Sequence, residues 1–327
     1  MPGPAPIRVT PNLFAIAFGI AGLAGCWRVA PEVVGSPGSI GDALAVVSAI
    51  AWVAVGAGWA AQIVRGSRTL DAELHDPVLG PFVSLAPIVG MLLALALFPH
   101  AHQVGRIGFG VFAVATLLTG GLLTGQWIAD RLDFAALHPG YFLPTVAGGL
   151  IGAQGAAEVG WSGPARALFG IGVLCWVLLG SLILARLIVG PPLPAALSPT
   201  LAIEVAPPAV GGNAYLALSG GRFDTVTWVL AGYAVLMVLV QLRLLGLYRR
   251  SPFGPPFWSF TFSFAATATL ALHWLAHEDP NGAPIWGWTV LGLITALVVT
   301  IAARTVVRLL AGQFLPRAVA EGAVPAT

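Results

Sequence analysis

Few side chains in this sequence could do chemistry at depth in an apolar medium. Glu204 stands in LAIEVAPPAVGG and His273 in TLALHW, both inside hydrophobic runs. A carboxylate at membrane depth is costly and marks a pathway or an ion pair. Glu204 is therefore either a pathway group or an interfacial acid beside an arginine. On a helical wheel it shares a face with Thr200, Pro207, Pro208, Gly211 and Tyr215. Cys26 and Cys175, the two cysteines, lie in separate apolar segments, so neither a disulfide nor a cysteine metal site is expected. His100 and His102 follow Pro99 at a spacing that points their rings apart. His75 and His138 also fall in connecting segments, and all four are expected to be solvated rather than metal-bound. No aspartate pair suits magnesium and a diphosphate, and no two histidines share a helix face as a haem would require. All fifteen basic residues are arginine. Without lysine there is neither a retinal Schiff base nor a lysine nucleophile. An enzyme or sensor lacks a site, and no cofactor is expected.

The elements that must hold these residues follow from composition. Of 327 residues, 57% are hydrophobic and 9% charged, against about 25% charged in a soluble domain. That is too little polar surface for a water-soluble body, so the chain is read as an all-α integral membrane protein. Its environment is the lipid bilayer; with a net charge of +2 and no basic cluster, no nucleic-acid partner is expected. A helix needs about 20 apolar residues to cross the hydrocarbon core. Ten such runs lie near 11–30, 40–64, 81–99, 104–127, 141–160, 165–189, 199–219, 224–247, 256–276 and 285–310. They form a single transmembrane domain over residues 1–327. The tetrad Leu23-Ala24-Gly25-Cys26, after Arg8 and apolar Leu13 to Gly22, has the form of a lipoprotein cleavage box. Its lone upstream charge, and the counterparts of this run later in the chain, favour a retained first helix.

The prolines divide the ten runs. Pro11, Pro87, Pro144, Pro207, Pro208, Pro255 and Pro256 all fall in odd-numbered runs. Proline removes a backbone hydrogen bond and bends a helix. In a membrane this is tolerated where the backbone faces protein or water. The sequence thus predicts five helical hairpins, with five bent inner helices and five straight outer ones. Gly19, Gly22 and Gly25 in the first run, and Gly148, Gly149, Gly152 and Gly155 in the fifth, either pack helices closely or leave a lumen open. Arginine counting gives the orientation. Arg8, Arg65, Arg68, Arg131, Arg186, Arg243, Arg249, Arg250, Arg304, Arg308 and Arg317 fall on one side; Arg28, Arg106, Arg166 and Arg222 fall on the other. Both termini are then cytoplasmic.

The run PFWSFTFSFAATA carries the densest aromatics. At about 100° per residue, Ser259, Phe262, Ala265, Ala266, Thr269 and His273 share one direction. Phe257, Phe260 and Phe264 face the opposite way, toward outer helices. The front face is small and hydroxylated except for Phe262, whose ring either closes a narrow conduit or packs between inner helices. Few charges and five glycine-rich or bent helices suit a conduit for small solutes or ions better than a proton relay.

The segments TPNLFAIAFGIAGLAGCW, PFVSLAPIVGMLLALAL, YFLPTVAGGLIGAQ, LAIEVAPPAVGGNAYLAL and PFWSFTFSFAATA resemble, in order, the five inner helices of the tellurite-resistance/dicarboxylate transporter family. That family includes bacterial TehA, plant slow anion channels and fungal malate carriers. The resemblance spans about residues 8–310. It implies a homotrimer in the inner (plasma) membrane with one central pore per protomer, surrounded by the five inner helices. It implies passage of small inorganic anions such as chloride or nitrate, and a gate formed by the phenylalanine that ends Trp258-Ser259-Phe260-Thr261-Phe262, namely Phe262. The expected pore lining is Ser259, Ala266, Thr269, Gly19, Gly22, Pro87, Pro144, Pro208, Gly211 and Glu204. The acid at Glu204 departs from the family's expected uncharged residue. The alternative is a secondary carrier for C4-dicarboxylate or tellurite-like oxyanions, proton-coupled through Glu204.

Overall fold

The computed structural model describes residues 8–66 and 69–316; Arg68 and Arg317 lie outside the described residues. Among the described residues every regular element is helical. Ten helices carry the fold: α1 (Phe14–Val29), α2 (Ser39–Val64), α3 (Leu85–Leu97), α4 (His102–Ala129), α5 (Gly148–Glu158), α6 (Ser162–Val189), α7 (Ala206–Ser219), α8 (Thr225–Tyr248), α9 (Ser259–Glu278) and α10 (Ala283–Leu310). Seven segments, those holding α1, α3 and all five even-numbered helices, are long and apolar enough to cross a bilayer. The chain is a multi-pass membrane protein. Of the remaining three, α5 and α7 are short, at 11 and 14 residues. The third, α9, carries serine, threonine and histidine along its 20 residues.

The short odd-numbered helices have a common origin. Each follows a lead-in turn that is not α-helical. These turns are 3-10 at Pro11–Leu13, Gly80–Ser84, Pro139–Phe142, Ser198–Val205 and Pro255–Trp258, with a π turn at Leu143–Ala147 inserted before α5. Each 3-10 turn has proline at its first or second position, where the missing N–H would have had no partner in any case. Other prolines stand where these turns pass into the α-helices, inside continuous helical segments. Pro87 is the third residue of α3, Pro207 and Pro208 are the second and third of α7, and Pro144 sits in the π turn.

Packing sorts the helices into two rings. The odd helices touch in cyclic order, α1–α3–α5–α7–α9 and back to α1, and each even helix packs on the odd helix before it. The five 3-10 lead-in turns also contact one another in a closed circuit, which puts them at one end of the inner ring. Burial follows: in the most apolar 18-residue stretch, 67% of residues are buried in the spans holding α1 and α3, against 17–28% in the even helices. Side-chain donors from the outer ring reach inner carbonyls, with Ser48 donating to Ala17 (2.8 Å) and the Trp52 indole to Ala86 (2.8 Å).

The glycines of α5 mainly serve close approach. A methyl group on Gly149 would lie 2.7 Å from the Gly172 nitrogen and 2.8 Å from its Cα, so the α5 and α6 backbones meet there. Gly170, two residues before Gly172 on α6, faces open space. Gly149→Ala should cost about 1–3 kcal/mol, because backbone rather than a movable side chain must yield. Gly170→Ala should be neutral or stabilising by up to about 1 kcal/mol. Thermal unfolding of the purified protein in detergent compares the two.

Candidate functional site

Two chambers lie inside the inner ring. The first, about 30 Å³, sits at the lead-in end and is walled by apolar and aromatic groups, among them Phe18, Phe82, Phe142, Trp258 and Phe262, with Ser259 and Ser263 supplying hydroxyls. The second, about 280 Å³, lies beyond it and is more polar, bordered by Arg28, Gln154, Glu158, Asn213 and Thr269. Phe262 and Val210 border both chambers. The Phe262 ring stacks on Phe18 with centroids 3.6 Å apart and planes 14° apart. Both rings are buried. An outer mouth of about 390 Å³ shares Gln154, Glu158 and Asn213 with the second chamber and adds Glu32, His273 and His277.

Local bonds hold this wall in place. The Trp258 indole donates to Thr305 on α10 (3.0 Å), and Thr261 donates to the Trp258 carbonyl (2.6 Å). The Cys26 sulfur lies 3.0 Å from the Ala265 carbonyl and 3.2 Å from the Thr269 hydroxyl, tying α1 to α9. Asn213 donates to the Ala266 carbonyl (2.9 Å), tying α7 to α9. Arg28 reaches the Leu95 carbonyl (3.4 Å), and Gln154 donates to Glu158 (2.9 Å).

The expected residues divide between chambers and packing. Ser259 and Phe262 border the first chamber; Gly22, Ala266, Thr269 and again Phe262 border the second. Gly19 instead packs under Thr261 and Trp258, and Gly211 faces Leu230 and Leu150. Pro87, Pro144 and Pro208 border neither chamber, whereas Pro207 borders the first. Glu204 also borders neither; it lies in a groove on the outer side, between α6 and α8. The wheel misplaced it because Ser198–Val205 is 3-10, with about 3.0 residues per turn rather than about 3.6. Tyr215, expected on its face, packs on Phe169 and donates to Asp224 (2.6 Å). The aromatics opposite Phe262 form a ladder, Phe257 to Phe260 to Phe264, with centroids 6.1 Å apart at each step. Phe18, Val210 and Arg28 were not singled out from the sequence. Phe18 adjoins the three-residue glycine spacing of α1, which marks its inner face; Val210 and Arg28 carried no comparable signal.

The sequence profile described as SLAC1, voltage-dependent anion channel, matches residues 8–306. The chain belongs to this family. Over 310 residues it is 25% identical to the tellurite resistance protein TehA homologue of Haemophilus influenzae, covering 94% of this chain and 93% of the relative. It is 27% identical over 205 residues to the S-type anion channel SLAH1 of Arabidopsis thaliana, covering 60% of this chain and 53% of that protein. To SLAH4 of the same plant it is 28% identical over 184 residues, covering 54% and 50%. This chain thus spans about half the length of those two plant relatives.

One histidine supports the wall of the first chamber in this family member. His138, expected to be solvated, is fully buried, whereas His75 and His100 sit at the surface beside Asp130 and Asp42. The Gly140 N–H donates to His138 Nδ1 (3.1 Å), which starts the Pro139–Phe142 turn, and the imidazole stacks on Phe82. Burial pushes its pKa down from 6.5 to about 4; the Arg186 charge adds to this, and the Pro77 and Val78 carbonyls oppose it. Between those values the unfolded chain binds a proton that the folded one does not. Stability present above pH 6.5 is therefore lost as pH falls toward 4, by up to about 3 kcal/mol. His138→Gln keeps an acceptor for Gly140 and removes the titration. Unfolding measured from pH 7.5 to 4.5 should show a shallower loss in that variant than in the wild type.

Proposed function

We propose that the protein is a gated channel for small inorganic anions such as chloride or nitrate, and that Phe262, stacked on Phe18, closes its pathway. The observation that carries this reading is that Phe262 borders both chambers. A phenyl ring offers a permeating anion no hydrogen bond and excludes water from a narrow path. In this reading all ten helices cross the membrane as five hairpins, the odd five around the pathway and the even five toward lipid. The lead-in end faces the cytoplasm, as do both termini. Nine of the described arginines fall on that side by chain order, and Arg28, Arg106, Arg166 and Arg222 on the other. The assembly is a homotrimer in the plasma membrane with one pathway per protomer, and no catalytic role is assigned. Membership of the anion channel family supports the substrate class, and Arg28 supplies a positive charge at the second chamber, which Glu158 also borders.

The carrier reading, for C4-dicarboxylate or tellurite-like oxyanions, relied on Glu204 as the proton group. Glu204 borders neither chamber, so the coupling through Glu204 loses its support.

Single-channel recording in symmetric chloride tests the proposal, since unitary events mean a channel and smooth saturating flux means a carrier. Phe262→Ala should raise conductance severalfold. Phe18→Ala should raise it too, and the double variant should gain less than the product of the two. A folded Phe262→Ala protein with wild-type conductance overturns the gate. Phe260→Ala should instead lower stability by about 3 kcal/mol with no gain in conductance, because its ring packs edge-on against Tyr248 on α8.

Arg28 yields a separate test. A unit charge about 7 Å from a hydrated ion alters its local concentration about threefold. Arg28→Gln should therefore lower chloride conductance by about that factor at low salt, with less effect at 1 M salt. Reversal potentials in a chloride gradient check whether anion preference falls with it.

A further inference from the structure

Glu204 has no part in the proposed pathway, yet it is a carboxylate held inside a membrane protein. It lines a groove of about 650 Å³ on the outer surface between α6 and α8. Its Oε1 is buried and makes no hydrogen bond among the described residues. Gln241 and Arg186 make their hydrogen bonds elsewhere. Gln241 donates to the Leu201 carbonyl (3.1 Å) and accepts from the Tyr248 hydroxyl. The Arg186 Nε and Nη2 both donate to the Ala135 carbonyl, at 3.2 and 2.9 Å. A buried carboxylate with no protein donor either holds a proton or takes a cationic or protic partner from outside.

The shape of the groove says which partner. At one end it reaches the loop residues Pro192 and Leu193, and at the other Trp176 and Tyr233. Trp176 lies thirteen residues before the end of α6 at Val189, which is about 20 Å at about 1.5 Å per residue. That exceeds the half-thickness of the hydrocarbon core, about 15 Å. Its walls include apolar side chains that are well exposed, Val177 at 59%, Leu184 at 46% and Val240 at 37%. A long apolar trough open to lipid, with an acid and an arginine in it, is complementary to a lipid that carries both charges.

We propose that this groove binds one phospholipid with a primary-ammonium headgroup. Its ammonium donates to Glu204, its phosphate lies beside Arg186, and an acyl chain runs along α6 and α8. A choline headgroup has no N–H to give the carboxylate, and a purely anionic headgroup would meet Glu204 with like charge. The site is independent of the channel reading, so either can fail alone.

The protein is reconstituted in nanodiscs of phosphatidylethanolamine or phosphatidylcholine, each with the same fraction of phosphatidylglycerol. Native mass spectrometry counts retained lipid, and thermal unfolding is followed in parallel. The wild type should keep about one phosphatidylethanolamine per chain and melt higher in those discs. Glu204→Gln should bind it about tenfold more weakly, the size of one charge-assisted hydrogen bond, and lose the difference in melting. Leu184→Trp, which fills the trough and leaves the acid intact, should also lower retention. Anion conductance and oligomer mass should not change in either variant. Equal retention of both lipids by the wild type, or undiminished retention by Glu204→Gln, overturns the proposal. A change of oligomer mass in either variant also overturns it, by giving the groove to a second copy of the chain.

Discussion

The hydrocarbon core of a bilayer offers a polypeptide no hydrogen bonds, and the two-ring architecture follows from that constraint. Backbone facing lipid must satisfy itself, so the five even helices run as uninterrupted α-helix for 24 to 28 residues. Backbone facing protein is released from this demand. The five 3-10 lead-in turns with proline at their start, and the π turn, accordingly belong to the inner ring; the 3-10 turn Phe134–Ala136 lies in the loop before Pro139–Phe142. Outer side chains such as Ser48 and Trp52 then take up inner carbonyls.

The same release shapes the inner chambers. A 3-10 turn is narrower than an α turn, and five of them meeting at one end bring Phe82, Phe142 and Trp258, with Phe18 of α1, round a space of about 30 Å³. Beyond Phe262 the odd helices are fully α, and glycines and short polar side chains leave about 280 Å³. The stacked pair Phe18 and Phe262 falls at the boundary between the two regimes. Aromatic stacking is worth about 0.5–1.5 kcal/mol beyond area burial, and such a contact can be broken and remade without unfolding its neighbours.

The contrast between Glu204 and Arg28 shows how position decides the use of a charge. Each is an ionisable group in an inner segment, and each would look equally at home in a pathway. Arg28 is in the last turn of α1 and borders the second chamber. Glu204 is in a 3-10 turn, which swings it to the outside between α6 and α8.

Composition alone determined that this chain lives in a membrane, because 9% charged residues cannot cover a soluble surface. The prolines inside the apolar runs pointed to the inner helices, although α6 and α10 also carry prolines in their first turns, Pro164 and Pro284, and the two-residue offset of Phe262 from Phe260 and Phe264 put that ring on the small-residue face. These were legible because they depend on local backbone chemistry and on helical periodicity. Tertiary structure decided the rest. That Gly19 packs under Thr261 while Gly22 borders a chamber depends on which neighbour each glycine meets. That His138 is buried depends on Phe82 and the Pro77 carbonyl, some sixty residues away in the chain. The partner of Phe262 is Phe18, 244 positions earlier. No periodicity within one helix can encode a pairing across the ring, and a wheel drawn at the wrong pitch sends a residue such as Glu204 to the wrong side.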